Sequence, residues 1–251
     1  MAVVKPPFKL KSSDLLHRIE PAIRPCCGSI FFARSLTSSA ADNILDHGSF
    51  VLVDTGTREL LLTCQHVLDG FQLLRGKNPE LKMFICLNSN SIVALELIQL
   101  IDQDNKLDIA SFDMSPSLGL GSEVEFCRLN CNHAPRVKLG DWLVFLGFPG
   151  RIKAHTSIGV RFVRGFHATR AYAVTDRRVL ANLARLKPYR PETEPELVGR
   201  KGGYGGVSGA PCFLLQEDLV PQLVALATED AYEHLSCTLL NCLKPDGTIN
   251  R

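Results

Sequence analysis

No run of this chain is apolar for long enough to cross a membrane as a helix, which takes roughly 20 residues. The start, Met1-Ala2-Val3-Val4-Lys5-Pro6-Pro7, lacks the basic-then-apolar layout of a secretory leader. Neither sign of charge is in excess. The 28 Lys and Arg against 26 Asp and Glu leave a net +2, which identifies no partner. An even cysteine framework is missing too. Nine cysteines cannot all pair within one chain and their spacing is irregular, so reduced thiols in a reducing compartment are expected. Together these absences predict a cytoplasmic protein. Cys127-x3-Cys131-x-His133 could gather zinc ligands, but no second pair of similar spacing follows, and buried thiols are the better reading. No metal or cofactor is expected.

What is present reads as a globular chain, 45% apolar and 22% charged over 251 residues, enough for one two-lobed domain. Residues 1–11 read as an untethered arm. Ser12-Ser13-Asp14 can cap a short helix carrying Leu15, Leu16 and Ile19, with Pro21 and Pro25 to end it. From Gly28 onward, strand-sized apolar runs alternate with turns: 29–33, 50–53, 59–63, 81–87, 91–101 and 107–113. A second set follows at 141–150, a strand running into a Gly/Pro turn, then at 157–164, 168–174, 212–215 and 223–227, with a hairpin at Pro245-Asp246-Gly247. Few long helical periods interrupt them, which predicts an all-β antiparallel barrel or sandwich. The exception is 176–187, whose apolar positions fall three and four apart and predict a short helix. The expected division is an arm at 1–27, a first lobe at 28–130 and a second at 131–251.

Chemistry concentrates at Gly202-Gly203-Tyr204-Gly205-Gly206-Val207-Ser208-Gly209-Ala210-Pro211. Glycine lets a chain turn sharply and bring bare N–H groups to a ligand, and the proline blocks a helix. A serine there has exposure, and the N–H groups of Gly206 and Ser208 can serve an oxyanion. It still needs a base. Leu61-Leu62-Thr63-Cys64-Gln65-His66 ends an apolar strand with a histidine at its rim, and Leu107-Asp108-Ile109-Ala110 starts another with a carboxylate. A buried Asp108 needs a donor. His66 could supply Nδ1–H and leave Nε2 for the proton of Ser208.

These stretches, in the order His66, Asp108, Ser208, resemble the chymotrypsin-like (trypsin-like, S1-type) serine endopeptidases. Thr63-x-x-His66-Val67 resembles their base motif, Asp108-Ile109-Ala110 their orienting aspartate, and Gly206-x-Ser208-Gly209-x-Pro211 their nucleophile motif. The resemblance covers about residues 28–250. It implies two consecutive six-stranded antiparallel β-barrels with the active site between them. His66 and Asp108 would come from the first, Ser208 and the oxyanion hole from the second. It further implies that Gly202 and Gly203 line the specificity pocket and that Ala227-Thr228-Glu229-Asp230 pair with the substrate backbone. Secreted members carry an aspartate before the serine, which captures a new N-terminus; here that residue is Val207, so the site should form without that ion pair. Val67 stands where those members often have a disulfide cysteine. Both departures suit an intracellular, HtrA-like lobe, with no PDZ domain expected.

The reading is therefore a serine endopeptidase acting on protein or peptide substrates, with a regulatory protein partner left open. Its alternative is a silent protease-like binding module, or a protease switched on only by a partner. An esterase is set aside: Ala210 breaks Gly-x-Ser-x-Gly, and of the histidines only His234 follows the serine. The span 151–190 is strongly basic, with Asp176 its one acid, but acidic Glu192, Glu194 and Glu196 follow. It reads as a solvated face, with nucleic acid not expected. The 175–200 insertion, leading into the glycines, is a candidate modulator of activity.

Overall fold

Alternation along short strands decides the architecture, because each strand offers one side chain in two to each face. The computed structural model describes residues 8–35, 44–87, 91–115, 124–148, 153–156, 159–162, 165–182, 206–231 and 234–251. The first sheet holds β1 (Cys27–Ala33), β2 (Ile44–Asp54), β3 (Glu59–Thr63), β4 (Lys82–Leu87), β5 (Ser91–Ala94), β6 (Gln99–Asp104), β7 (Ile109–Asp113) and β8 (Cys127–Arg128). Its order is β5-β4-β1-β2-β3-β7-β6, an open path, with β8 parallel to β2.

The second lobe closes. Strands β9 (Trp142–Gly147), β12 (Gly165–Val174), β13 (Arg178–Asn182), β14 (Pro211–Leu215), β15 (Pro221–Ala231) and β16 (His234–Leu239) form a barrel in the order β12-β13-β16-β15-β14-β9. Between them, β10 (Lys153–Thr156) and β11 (Gly159–Phe162) pair as a separate ribbon.

The two lobes share their packing. On β14, Cys212 and Leu214 fill the barrel, while Phe213 and Leu215 join the core of the first lobe. On β9, Leu143 and Phe145 face inward, and Val144 and Leu146 face the first lobe. Both faces are buried, which explains why these strands are apolar without alternation.

Three expectations are corrected. The arm is anchored where it is described: Trp142 Nε1–H donates to Phe8 O at 3.0 Å, and Phe8 and Leu10 pack on the first core. The helix that follows does not stop at Pro21. Helical turns run over 12–26, and Pro21 sits in the first turn of Glu20–Ile23, where no N–H is required. Residues 176–187 are not helical where described. A turn closed by Thr175 N–H to Arg178 O (2.8 Å) leads into β13, where Val179 and Ala181 point inward at strand period. Pairing with β12 and β16 outweighs the local helical spacing. Residues 183–205 lie outside the described residues, and with them most of the expected modulator insertion at 175–200, together with Gly202 and Gly203.

The expected turn at Pro245-Asp246-Gly247 is present, with Gly247 at φ +87°. It lies on the first lobe: Thr55 Oγ1 donates to Pro245 O (2.7 Å) and Ser111 Oγ to Gly247 O (2.6 Å).

Candidate active site

His66 is carried by a helix outside the expected elements, although Val67, Phe71 and Leu74 fall four and three apart. Helix α1 (Gln65–Lys77) starts straight after β3, with Val67, Leu68 and Phe71 on its buried face. Its first N–H groups need acceptors, yet the N-cap residue Cys64 makes no side-chain cap. The acceptor comes from Asp108, whose Oδ1 receives His66 N–H at 2.9 Å while its Oδ2 receives Nδ1–H at 2.7 Å. One carboxylate thus caps the helix and fixes the ring. Nδ1 must carry the proton, which leaves Nε2 as acceptor on a half-exposed imidazole. The Asp108 hydrogen bond raises the His66 pKa above 6.5, against burial, which lowers it.

Asp108 reaches this position from φ +55°, a conformation that costs most side chains but that Asp tolerates. The turn before it is held on three sides. Asp104 Oδ1 accepts the N–H groups of Lys106 (2.9 Å) and Leu107 (2.8 Å). Arg178 Nη2 donates to Lys106 O at 2.9 Å, and Thr238 Oγ1 donates to Leu107 O, both from the barrel. Arg251 binds Asp104 and Asp102, at 3.2 and 2.7 Å.

Ser208 lies on the facing wall. Ala210 N–H closes a turn on Val207 O at 2.7 Å with Gly209 at φ +86° in third place, the type II pattern. Ser208 occupies the second place, half-buried, with Val207 packed in the barrel core. A Cβ on Gly209 would overlap Ser49 O, so only glycine lets the turn press against β2. Ser208 O in turn accepts Ser49 N–H at 2.8 Å. Ala227 O ties the walls together, receiving Gly209 N–H at 2.8 Å and the Cys64 thiol at 3.1 Å. Among the described residues no hydrogen bond joins Ser208 to His66, and unliganded acyl-transfer sites are often loose in this way. Among the described residues neither Gly206 N–H nor Ser208 N–H donates to a backbone carbonyl.

Of the expected substrate positions, Ala227 is buried and its backbone is bound to this turn. Thr228 is buried as well, its hydroxyl donating to Ser236 O and receiving Arg178 Nη1–H. Glu229 stands on β15 opposite Ser236, past the last β14 partner, Leu226.

Two residues of the site, Cys64 and Ser49, escape a reading of the sequence. Neither has a local signature, because their partners lie across the lobe boundary. Cys64 Sγ, His66 Nδ1 and an Asp108 oxygen lie within 4.8 Å of one another, the one such group of three among the described residues. Burial holds the Cys64 thiol protonated, pushing its pKa far up, and Nδ1–H is already committed, so the donor set suits proton handling better than a metal. Of the other candidate zinc ligands, the Cys127 thiol hydrogen-bonds the Cys26 thiol, and the His133 side chain lies outside what is described.

An open half-barrel sheet packed on a closed six-stranded barrel is the chymotrypsin-like two-barrel fold. No family model and no curated protein sequence matches the chain. Among solved structures it is similar to the Rv3671c protease in its inactive form, with a TM-score of 0.53, 15% identity and 93% of each chain covered. That likeness is one of fold.

Proposed function

We propose that the protein is a serine endopeptidase, with Ser208 as nucleophile, His66 as general base and Asp108 as its orienter. The observation that carries this is the double hold of Asp108 on His66, opposite a serine presented on a glycine turn. Ser208 Oγ attacks the scissile carbonyl carbon as its proton passes to His66 Nε2. Gly206 N–H and Ser208 N–H receive the oxyanion. Collapse returns the proton to the leaving amine and leaves an acyl-enzyme, which water attacks by the same route. Ala227 has both backbone groups engaged, so a peptide would align along β15 beyond it, with Thr228 and Glu229 beside it and Gly202 and Gly203 proposed for the specificity pocket. All nine cysteines are free, which supports a reducing, cytoplasmic setting for this activity.

A fluorophosphonate probe tests the reading. It should label the wild type and leave Ser208→Ala unlabelled, and unlabelled wild type should cleave peptide bonds, an activity that labelling abolishes. A folded wild type that takes no label would replace this reading with that of a binding module.

A further inference from the structure

We infer that Ser49 is a positioning residue for the oxyanion loop and does the work that an aspartate before the serine would do through an ion pair. The inference rests on Ser208 being the nucleophile. Val207 cannot make an ion pair and is instead buried in the barrel core, which holds the loop from one side only. The other side is held from β2. Ser49 Oγ, wholly buried, donates to Gly206 O at 2.7 Å and accepts Phe148 N–H at 3.0 Å. Gly206 O can only accept, so the hydroxyl gives it its one proton and keeps a lone pair for Phe148 N–H. Two residues earlier on the same strand face, His47 Nε2–H donates to Phe148 O at 3.0 Å. Both polar groups of Phe148 are therefore bound by one strand of the other lobe.

Gly206 is seated on this cluster. A Cβ there would overlap His47 Nε2 and collide with Phe148 O, and its φ is +90°. With its carbonyl tied to Ser49, the peptide plane joining Gly206 to Val207 is fixed. The ψ and φ of Gly206 are then the two rotations left to aim its N–H, and the close seat on His47 and Phe148 restricts them. Loss of the Ser49 hydroxyl would free that plane and leave Phe148 N–H buried without its acceptor. Nothing in this contact touches His66 or Asp108, so the proton-handling half of the site should be unaffected.

Fluorophosphonate labelling rates of wild type, Ser49→Ala and Ser49→Thr, measured across pH, test this. Ser49→Ala should label about 100-fold more slowly, the lower end of what losing an oxyanion donor costs. The acidic midpoint of its rate profile should match the wild type, and hydrogen exchange should quicken at 206–210 ahead of the remainder of the barrel. Ser49→Thr keeps the hydroxyl and should stay within about 10-fold of wild type, which guards against a folding failure of the alanine variant. Equal rates for wild type and Ser49→Ala would overturn the inference alone, as would a shifted acidic midpoint. An unlabelled, folded wild type would overturn the nucleophile reading and this inference with it.

Discussion

Asp108 grips His66 twice, by the ring Nδ1–H at 2.7 Å and by the backbone N–H at 2.9 Å. The two bonds do different work, one setting the tautomer and the other closing the start of α1. Asp108→Asn keeps an oxygen for the cap but offers the ring an uncharged partner. It should leave the melting temperature close to wild type while kcat falls roughly 10⁴-fold, as in the triad template. Asp108→Ala should lose turnover and also about 1 kcal/mol of stability through the lost cap. Denaturant melts beside peptide kinetics separate the two variants.

The raised pKa of His66 gives a pH profile of definite sign. The base must be neutral, so kcat/KM should fall as pH drops through a midpoint above 6.5. Asp108→Asn should move that midpoint downward. Stability responds in the opposite sense: what the His66–Asp108 pair contributes is present below the unfolded value near 6.5 and is lost as pH rises through the folded one. A rate profile whose acidic limb lies below 6.5 in the wild type would contradict this arrangement.

Two glycines should respond with opposite signs to the same substitution. Gly209→Ala places a Cβ against Ser49 O at φ +86°, and should cost at least about 1–3 kcal/mol while abolishing activity. Gly70 sits within α1, where an added methyl group would meet nothing within 4 Å. There alanine should stabilise by about 1 kcal/mol, since a helix-interior glycine loses more backbone entropy on folding. Thermal melts of both variants check the contrast.

The turn carrying Asp108 should transmit changes made in the barrel. Thr238 is fully buried, and its hydroxyl bonds Leu107 O. Thr238→Val keeps the shape, removes the donor and should cost about 1 kcal/mol. If the turn sets the carboxylate, kcat should fall several-fold with KM held. A variant that is less stable but turns over normally would show the bond to be purely structural.

The candidate triad shows in short motifs because His66, Asp108 and Ser208 each lie within three residues of the end of an apolar strand, and strand ends are legible. Helix α1 shows its apolar spacing in Val67, Phe71 and Leu74, but its start is hidden because the cap is 42 residues away, on Asp108. Strand β13 misleads because the five residues of Arg178–Asn182 satisfy either period, and neighbours on both sides decide. Ser49 looks like any small polar residue until Gly206, 157 positions on, is brought to it.

The doubly buried faces of β9 and β14 bear on how the molecule can come apart. Val144, Leu146, Phe213 and Leu215 belong to the barrel strands but complete the core of the other lobe. Cutting the chain between lobes would strip an oily surface bare on both halves. The seam between Ser208 and His66 thus lies inside one cooperative unit and is not a joint on which two pieces hinge.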